Sequence, residues 1–452
     1  MNSVKKYNDN VPYIVFIGFA LISIAIGFIS TPSVSAILEG LRNIATHHHM
    51  IDSELIIISG NFGSAFVNAG IIVLFILIVY RLTNTKITGM EIAAIGQSFG
   101  YSFYGLSIFN IWPLVIGCLI EGIVHKKELG KISYIAWFST ALAPFVSNLS
   151  FNNPVLPIGA ASIAMGIIAG LIAGFLVGAL VSHLKELHRG NILFSVGFTT
   201  GTIGFFLYSI LKASGFAYSP YTEGVYIEGM NTKLFAIFMI FNVYMFLVGL
   251  ILEKELSGYT NNLLTQKTAG GDYVTEYGLG QALINFGVMG TAGLLYAFAT
   301  IKGQIKGPMI GGIFTIAGFG AGGMTLLSCA PIWGGIYAGS FLTGGLSALT
   351  TNASFLSAAI EKVSSRAMLV AAMHGCGLSP LAKKYGWTTC FIAAMIHSVI
   401  VPNTGKLHGW MCSYNNGFAE GLNVVLFLPI LLFFRSEKFI RVTRQQTDTI
   451  YQ

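Results

Sequence analysis

Three histidines in the second half of this 452-residue chain, a matched pair of asparagines and two lone acids carry the side chains best suited to bind or move something. His374 and His397 lie in apolar surroundings, and His408 sits at the edge of an apolar run, matched in the first half by His188. An imidazole donates, accepts and titrates near neutral pH, so inside a membrane it can relay a proton or hold a solute. A satisfied structural histidine is the competing role. Asn68 and Asn285 are amides within apolar runs. Such an amide needs a partner, which is either a neighbouring helix or a polar solute. Asn153, Asn403 and Asn416 lie in polar, proline- or glycine-containing breaks between apolar runs. The substrate-binding candidates are therefore Asn68, Asn285, Asn153, His374, His397, Asn403, His408 and Asn416. Glu91 and Glu420 stand near the starts of apolar segments, where they can carry a coupling proton or accept a cation; a solvated helix end is the alternative. Glu121 is close enough to the Lys126 loop to reach the interface.

The elements that position these groups follow from composition. The chain is 54% hydrophobic and only 10% charged, against about 25% charged in a soluble domain. Runs such as 11–30, 62–80, 158–181 and 234–252 match the ~20 apolar residues needed to cross ~30 Å of hydrocarbon. They do not alternate as the strands of a barrel would. The fold class is all-α, a polytopic helical membrane protein. The five cysteines fall in or beside apolar segments without metal or redox spacing and read as packing residues. His47-His48-His49 reads as a solvated loop tract. No Walker A, GxSxG, HExxH or dinucleotide fingerprint stands in a supporting context. No cofactor, metal or nucleic acid is expected.

The chain repeats itself. Gly63 to Gly70 matches Gly280 to Gly287; Lys86 leading to Phe99-Gly100 matches Lys306 leading to Phe319-Gly320; Ile111-Trp112 matches Ile332-Trp333. Leu187-His188 followed by Gly197-Phe198 and Gly201 matches Leu407-His408 followed by Gly417-Phe418 and Gly421. Four ordered matches at offsets of 217 to 221 residues indicate a duplication, with repeats at 1–226 and 227–452. Each half accommodates up to seven spans, giving about 12–14 in all, some re-entrant. Among them are 88–105, 132–149, 354–376 and 380–402.

Basic loop residues set orientation. Arg435, Lys438, Arg441 and Arg444 place the C-terminus in the cytoplasm, and the N-terminus joins it. Lys126, Lys127 and Lys131 mark a cytoplasmic loop whose counterpart, 347–352, has no basic residue. Conversely, Lys383 and Lys384 fall opposite the uncharged 160–164. Swapped bias is what inverted repeats produce. Lys302, Lys306 and Lys406 fit this scheme poorly.

Gly166, Gly170, Gly174 and Gly178 recur every four residues and clear one helix face for close packing or for a pore wall. His374-Gly375-Cys376-Gly377 breaks a helix, and a polar break between Asn148 and Pro157 is its expected counterpart. Paired broken segments are the best sequence pointer to a transport site.

The paired Asn-x-Gly and Leu-His segments resemble an uncharacterised family of bacterial multi-spanning proteins that carry a duplicated domain of unknown function. That resemblance covers the whole chain and implies no activity. A lesser likeness is to urea-transporter halves, through Gly63 to Gly70 and Gly280 to Gly287; the proline-rich selectivity segments of that family are not matched. The expectation is a gradient-driven transporter or channel for a small polar solute, not an enzyme, with its site between the repeats and H+ or Na+ as coupling ion. A second reading is an integral-membrane enzyme acting on a lipid-like substrate through His374, His397 or His408. The expected setting is the cell membrane, with assembly into a homo-oligomer left open.

Overall fold

The computed structural model describes residues 7–48, 54–216, 230–254, 256–265, 272–300 and 305–450. His49, Lys302 and the boundary expected at 226/227 lie outside the described residues. All regular structure among the described residues is helical. The first repeat runs α1 (Asn10–Ser30), α2 (Val34–Thr46), α3 (Leu55–Ile58), α4 (Phe62–Leu82), α5 (Gly89–Tyr101), α6 (Ile108–Val124) and α7 (Leu129–Phe138). It closes with α8 (Ala143–Phe151), α9 (Ala160–Leu187) and α10 (Ser195–Ala213). The second runs α11 (Met230–Glu253), α12 (Ser257–Thr265), α13 (Tyr273–Tyr277), α14 (Leu279–Thr300), α15 (Gly307–Ala321) and α16 (Leu326–Ser347). It continues with α17 (Phe355–Val363), α18 (Arg366–His374), α19 (Ser379–Tyr385), α20 (Trp387–Leu407) and α21 (Asn415–Ile450).

Eight of these helices, α1, α4, α9, α10, α11, α14, α16 and α20, are long and apolar enough to cross a membrane. This is a multi-pass membrane protein. The expected spans 88–105 and 132–149 are not single spanning helices. α5 has 13 residues, about 20 Å at 1.5 Å per residue, short of the ~30 Å core. Segment 132–149 divides into α7 and α8 around a 3₁₀ turn, Ser139–Leu142. Likewise, 354–376 and 380–402 resolve into α17, α18, a 3₁₀ turn at Gly375–Leu378, α19 and the start of α20. Pro144 and Pro380 each restart their helix at its second residue, where a missing N–H costs nothing.

The duplication is visible in geometry. Asp272 Oδ1 accepts from Gly89 N–H at the start of α5 (2.8 Å), and Glu54 Oε2 accepts from Gly307 N–H at the start of α15 (2.7 Å). Each repeat therefore supplies the acid that caps the other's short helix, a favourable placement for negative charge. Ser107 and Thr325 cap α6 and α16 through equivalent capping boxes, and each helix carries a proline at its sixth residue, Pro113 or Pro331. This register pairs Tyr101 with Phe319 and Ile111 with Cys329, so the Phe-Gly match in the sequence is displaced by two residues and the Ile-Trp match by about one helical turn.

Equivalent helices run antiparallel. Tyr7 Oη donates to Leu252 O, Tyr244 Oη donates to Val15 O, and Phe19 packs on Phe241 with centroids 4.8 Å apart, so the start of α1 meets the end of α11. In α5 and α15, Gly89 lies on the Ala321 carbonyl, while Gly311 lies on Tyr101 and Tyr104. Between those ends Gly96 meets Gly318 and Phe314, and Gly100 meets Gly311, so the two backbones nearly touch. Repeats whose matching helices are antiparallel are related by a two-fold axis perpendicular to them, and are inverted. The axis also passes between α10 and α21. There Gly197 and Gly417 meet Cα against Cα, and Gly201 packs on Phe418 as Gly421 packs on Phe198.

The glycine stripe of α9 serves packing. Gly166 and Gly170 receive α8, Gly170 and Gly174 receive α6, and Gly178 makes room for Glu121. Glu121 is buried and pairs with Lys127 Nζ at 2.6 Å, a cation of the basic loop beside it. His47 and His48 stack at 4.6 Å and are half-buried.

Inversion has a direct test. The natural cysteines are all buried and unpaired, so single cysteines at Lys127 and Ser347 can be labelled without background from them. They should react with an impermeant thiol reagent from opposite faces of the membrane; reaction of both from the same face would contradict the two-fold arrangement.

Candidate functional site

The two 3₁₀ turns leave carbonyls without their helical partners, and at membrane depth such groups must be satisfied within the protein. Each is satisfied by the other repeat. Leu193 N–H donates to Gly377 O (2.9 Å) and Ser413 N–H donates to Ala141 O (2.8 Å). Leu193 and Ser413 are equivalent residues, as are Ala141 and Gly377. These crossed bonds hold the loops before α10 and α21 against the broken helices and frame a cavity on the two-fold axis.

The cavity is narrow and partly open, with about 20 Å³ of room, little more than one water needs. It is lined almost wholly by equivalent pairs: Tyr101 with Phe319, Phe138 with His374, Phe194 with Tyr414, Val196 with Asn416, and Gly197 with Gly417, together with Gln97 and Leu193. The two-fold sorts these pairs into two unlike walls. On one side Tyr101 meets Tyr414 edge-on at 4.9 Å and His374 at 6.1 Å. At the matching places on the other side, Phe319 meets Phe194 at 4.6 Å and Phe138 at 5.6 Å. One wall presents a histidine and two phenols, and its image is three phenylalanines.

His374 is 4% exposed. Its Nδ1 lies 3.2 Å from Val370 O; a carbonyl only accepts, so Nδ1 carries the proton. Nε2 is then the acceptor of the neutral ring, and no protein hydrogen bond reaches it. Tyr101 Oη neighbours Gln97, Tyr104 and Thr315. Behind Asn416, His397 Nε2 lies 3.1 Å from Asn416 Oδ1 and fixes the amide.

The remaining candidates are placed elsewhere. Asn68 Nδ2 donates to Ser102 O (3.1 Å) and Leu106 O (3.0 Å), and Asn285 Nδ2 donates to Gly320 O and Met324 O (both 2.8 Å). Tyr259 Oη donates to Asn285 Oδ1 as well. Both amides tie the turn after a short helix, and neither lines the cavity. Asn153 shapes the α8–α9 turn by accepting from Val155 N–H and Leu156 N–H. Asn403 is exposed and bonds Val399 O. His408 is buried at the end of α20, 3.0 Å from Asn415 Oδ1. Glu91 belongs to the capping box of α5 with Thr88. Glu420 is fully buried one turn along α21 from Asn416, where a Cβ on Gly377 would fall on its carboxylate.

Of the sequence candidates, His374 and Asn416 line the polar half of the cavity. Tyr101, Tyr414 and Gln97 were missed because single phenols and amides carry no motif. The expected first-half break, 148–157, was misplaced. α17 is an insertion that shifts the local register, so Phe138 rather than a residue near 154 matches His374. Lys383 and Lys384 then match Ser147 and Asn148, which are still uncharged.

The model of a family described as a protein of unknown function, DUF1576, matches twice, at residues 33–213 and 251–433. The chain belongs to this family. One matched stretch falls in each repeat, so the family's domain is the repeat unit, and every pair lining the cavity takes one member from each copy. Neither the curated proteins nor the solved structures include a match to the chain.

Asn68→Ala and Asn285→Ala should each lower thermal stability in detergent, by ~1–3 kcal/mol if a buried carbonyl loses its donor. Cavity binding should be unaffected, and unchanged melting in both variants would show that these bonds carry no load.

Proposed function

We propose that the protein is a gradient-driven transporter for a small polar solute and not an enzyme. The observation that carries this reading is the cavity on the inverted-repeat axis, bounded by broken helices from both halves. This is where transporters built from inverted repeats hold their solutes, and rocking one repeat against the other exposes such a site alternately. The fold-level part of this is analogy.

Two further features support a carrier. A wide cleft lined by Lys86, Thr88, Glu91, Gly130, Lys131 and Tyr134 opens on one face. Gln97 and Phe138 of the cavity lie farther along the same helices, α5 and α7, with Glu91 to Gln97 spanning about 9 Å of helix. On the opposite face the place equivalent to Gly130 is Arg366, which reaches Glu54 Oε1 at 3.4 Å. An ion pair thus bridges the repeats on one face while the matching place on the other lines an opening. The basic loop at 126–131 favours a cytoplasmic side for the open cleft, with the C-terminus on the same side. Glu420 is the better coupling residue of the two acids, because Glu91 is committed to its helix cap. His397 and His408 face Asn416 and Asn415 rather than the cavity, which weighs against catalysis by a histidine group.

The test is uptake into proteoliposomes over a panel of small solutes, with and without a pH or sodium gradient. Val196→Phe fills the cavity from its apolar side and should reduce uptake about tenfold or more, the equivalent of ~1.4 kcal/mol per decade of affinity. A folded Val196→Phe protein with wild-type uptake would rule out this route.

A further inference from the structure

We propose that the on-axis cavity recognises a neutral, planar ring bearing an N–H beside a carbonyl, a lactam- or ureide-type heterocycle. The inference rests on the transport reading for the ring's passage, but its recognition chemistry stands on the cavity itself.

Charge is excluded first. None of the residues lining the cavity is Asp, Glu, Lys or Arg. A charged solute would be desolvated there without a counter-charge, at high cost. The polar wall then sets what a neutral solute must offer. His374 Nε2 is a buried acceptor with no protein donor, so the solute has to bring an N–H or O–H. Asn416 Oδ1 is engaged by His397, so what its amide can offer a solute is the Nδ2 donor. An adjacent N–H and C=O on one edge satisfies both, and a buried polar site discriminates strongly against compounds that lack the matching group.

The opposite wall sets the shape. Phe138 and Phe319 stack with an interplanar angle of 18°, and Phe194 braces Phe319 from its edge. That surface offers no hydrogen bond and suits a flat π face. With about 20 Å³ of room, little more than one water needs, the cavity admits a ring only when the repeats part, which the transport reading supplies.

Purified full-length protein in lipid nanodiscs should be titrated calorimetrically with uracil and hypoxanthine. The comparison compounds are dihydrouracil, whose ring is puckered, and uracil-6-carboxylate, which is anionic. At least one planar neutral ring should bind saturably, and the two comparison compounds about tenfold or more weaker. His374→Phe and Asn416→Val each install the residue found at the equivalent first-repeat position, and each should weaken the ring about tenfold. His374→Gln, which keeps an acceptor, should recover part of the loss, and Asn403→Ala should bind as wild type. Should His374→Phe fail to fold, Asn416→Val and His374→Gln still decide. Absence of saturable binding by both rings, equal binding of the anion or the puckered ring, or indifference of binding to the folded variants would each overturn the proposal. Binding without uptake in proteoliposomes would sink the transport reading and leave the ligand class standing. Uptake of a charged or non-planar solute that Val196→Phe blocks would do the reverse.

Discussion

Everything central in this molecule depends on satisfying backbone carbonyls that a broken helix exposes where water is scarce. A continuous helix bonds its own carbonyls, but the turns Ser139–Leu142 and Gly375–Leu378 do so only in part and leave Ala141 O and Gly377 O to outside donors. The donors come from Leu193 and Ser413, each across the repeat boundary from the carbonyl it reaches. Because those donors sit in the loops before α10 and α21, the same two bonds bring Gly197 against Gly417 and leave space above them. The cavity is a by-product of solving a hydrogen-bond problem twice, once in each direction.

The second constraint is close backbone approach. α5 and α15 are short, and a short helix buries little surface by length alone. Glycines at 96, 100, 311 and 318 let the two helices make up for this by nearly touching. Their N-termini are closed by acids from the opposite repeat, Asp272 and Glu54. Packing, capping and the crossed carbonyl bonds all join the same two halves, so the pseudo-symmetry is held at the ends of the short helices as well as at their middles.

Much of this was written in the sequence, and where it was not the reason is physical. The long spans and the duplication were legible because length, hydropathy and recurring motifs carry a strong signal; the spans expected at 88–105, 132–149, 354–376 and 380–402 were not, and the basic loops pointed to inversion with Lys306 and Lys406 out of line. Asn68 and Asn285 were found as a matched pair, but an amide that ties a helix end reads the same as one that meets a solute. The break at Gly375–Leu378 announced itself through glycines; its counterpart at Ser139–Leu142 contains none, and the α17 insertion moved it out of the common register. The polar wall could be read only in part. His374 and Asn416 stand out as single residues, whereas the phenols acquire meaning only when the two-fold sets Tyr101 opposite Phe319 and Tyr414 opposite Phe194.

The reciprocal finishing of each half by the other has a consequence for how the chain is made. When the first repeat has been synthesised and inserted, α5 has its Thr88–Glu91 capping box but Gly89 N–H still lacks Asp272, and the Ser413 donor to the Ala141 carbonyl is not yet translated. The early half must therefore wait in the bilayer with its innermost polar groups unpaired, held by lipid, by water or by a chaperone. Assembly of the centre is a late event, set by the arrival of the last helices and not by the order in which the spans insert.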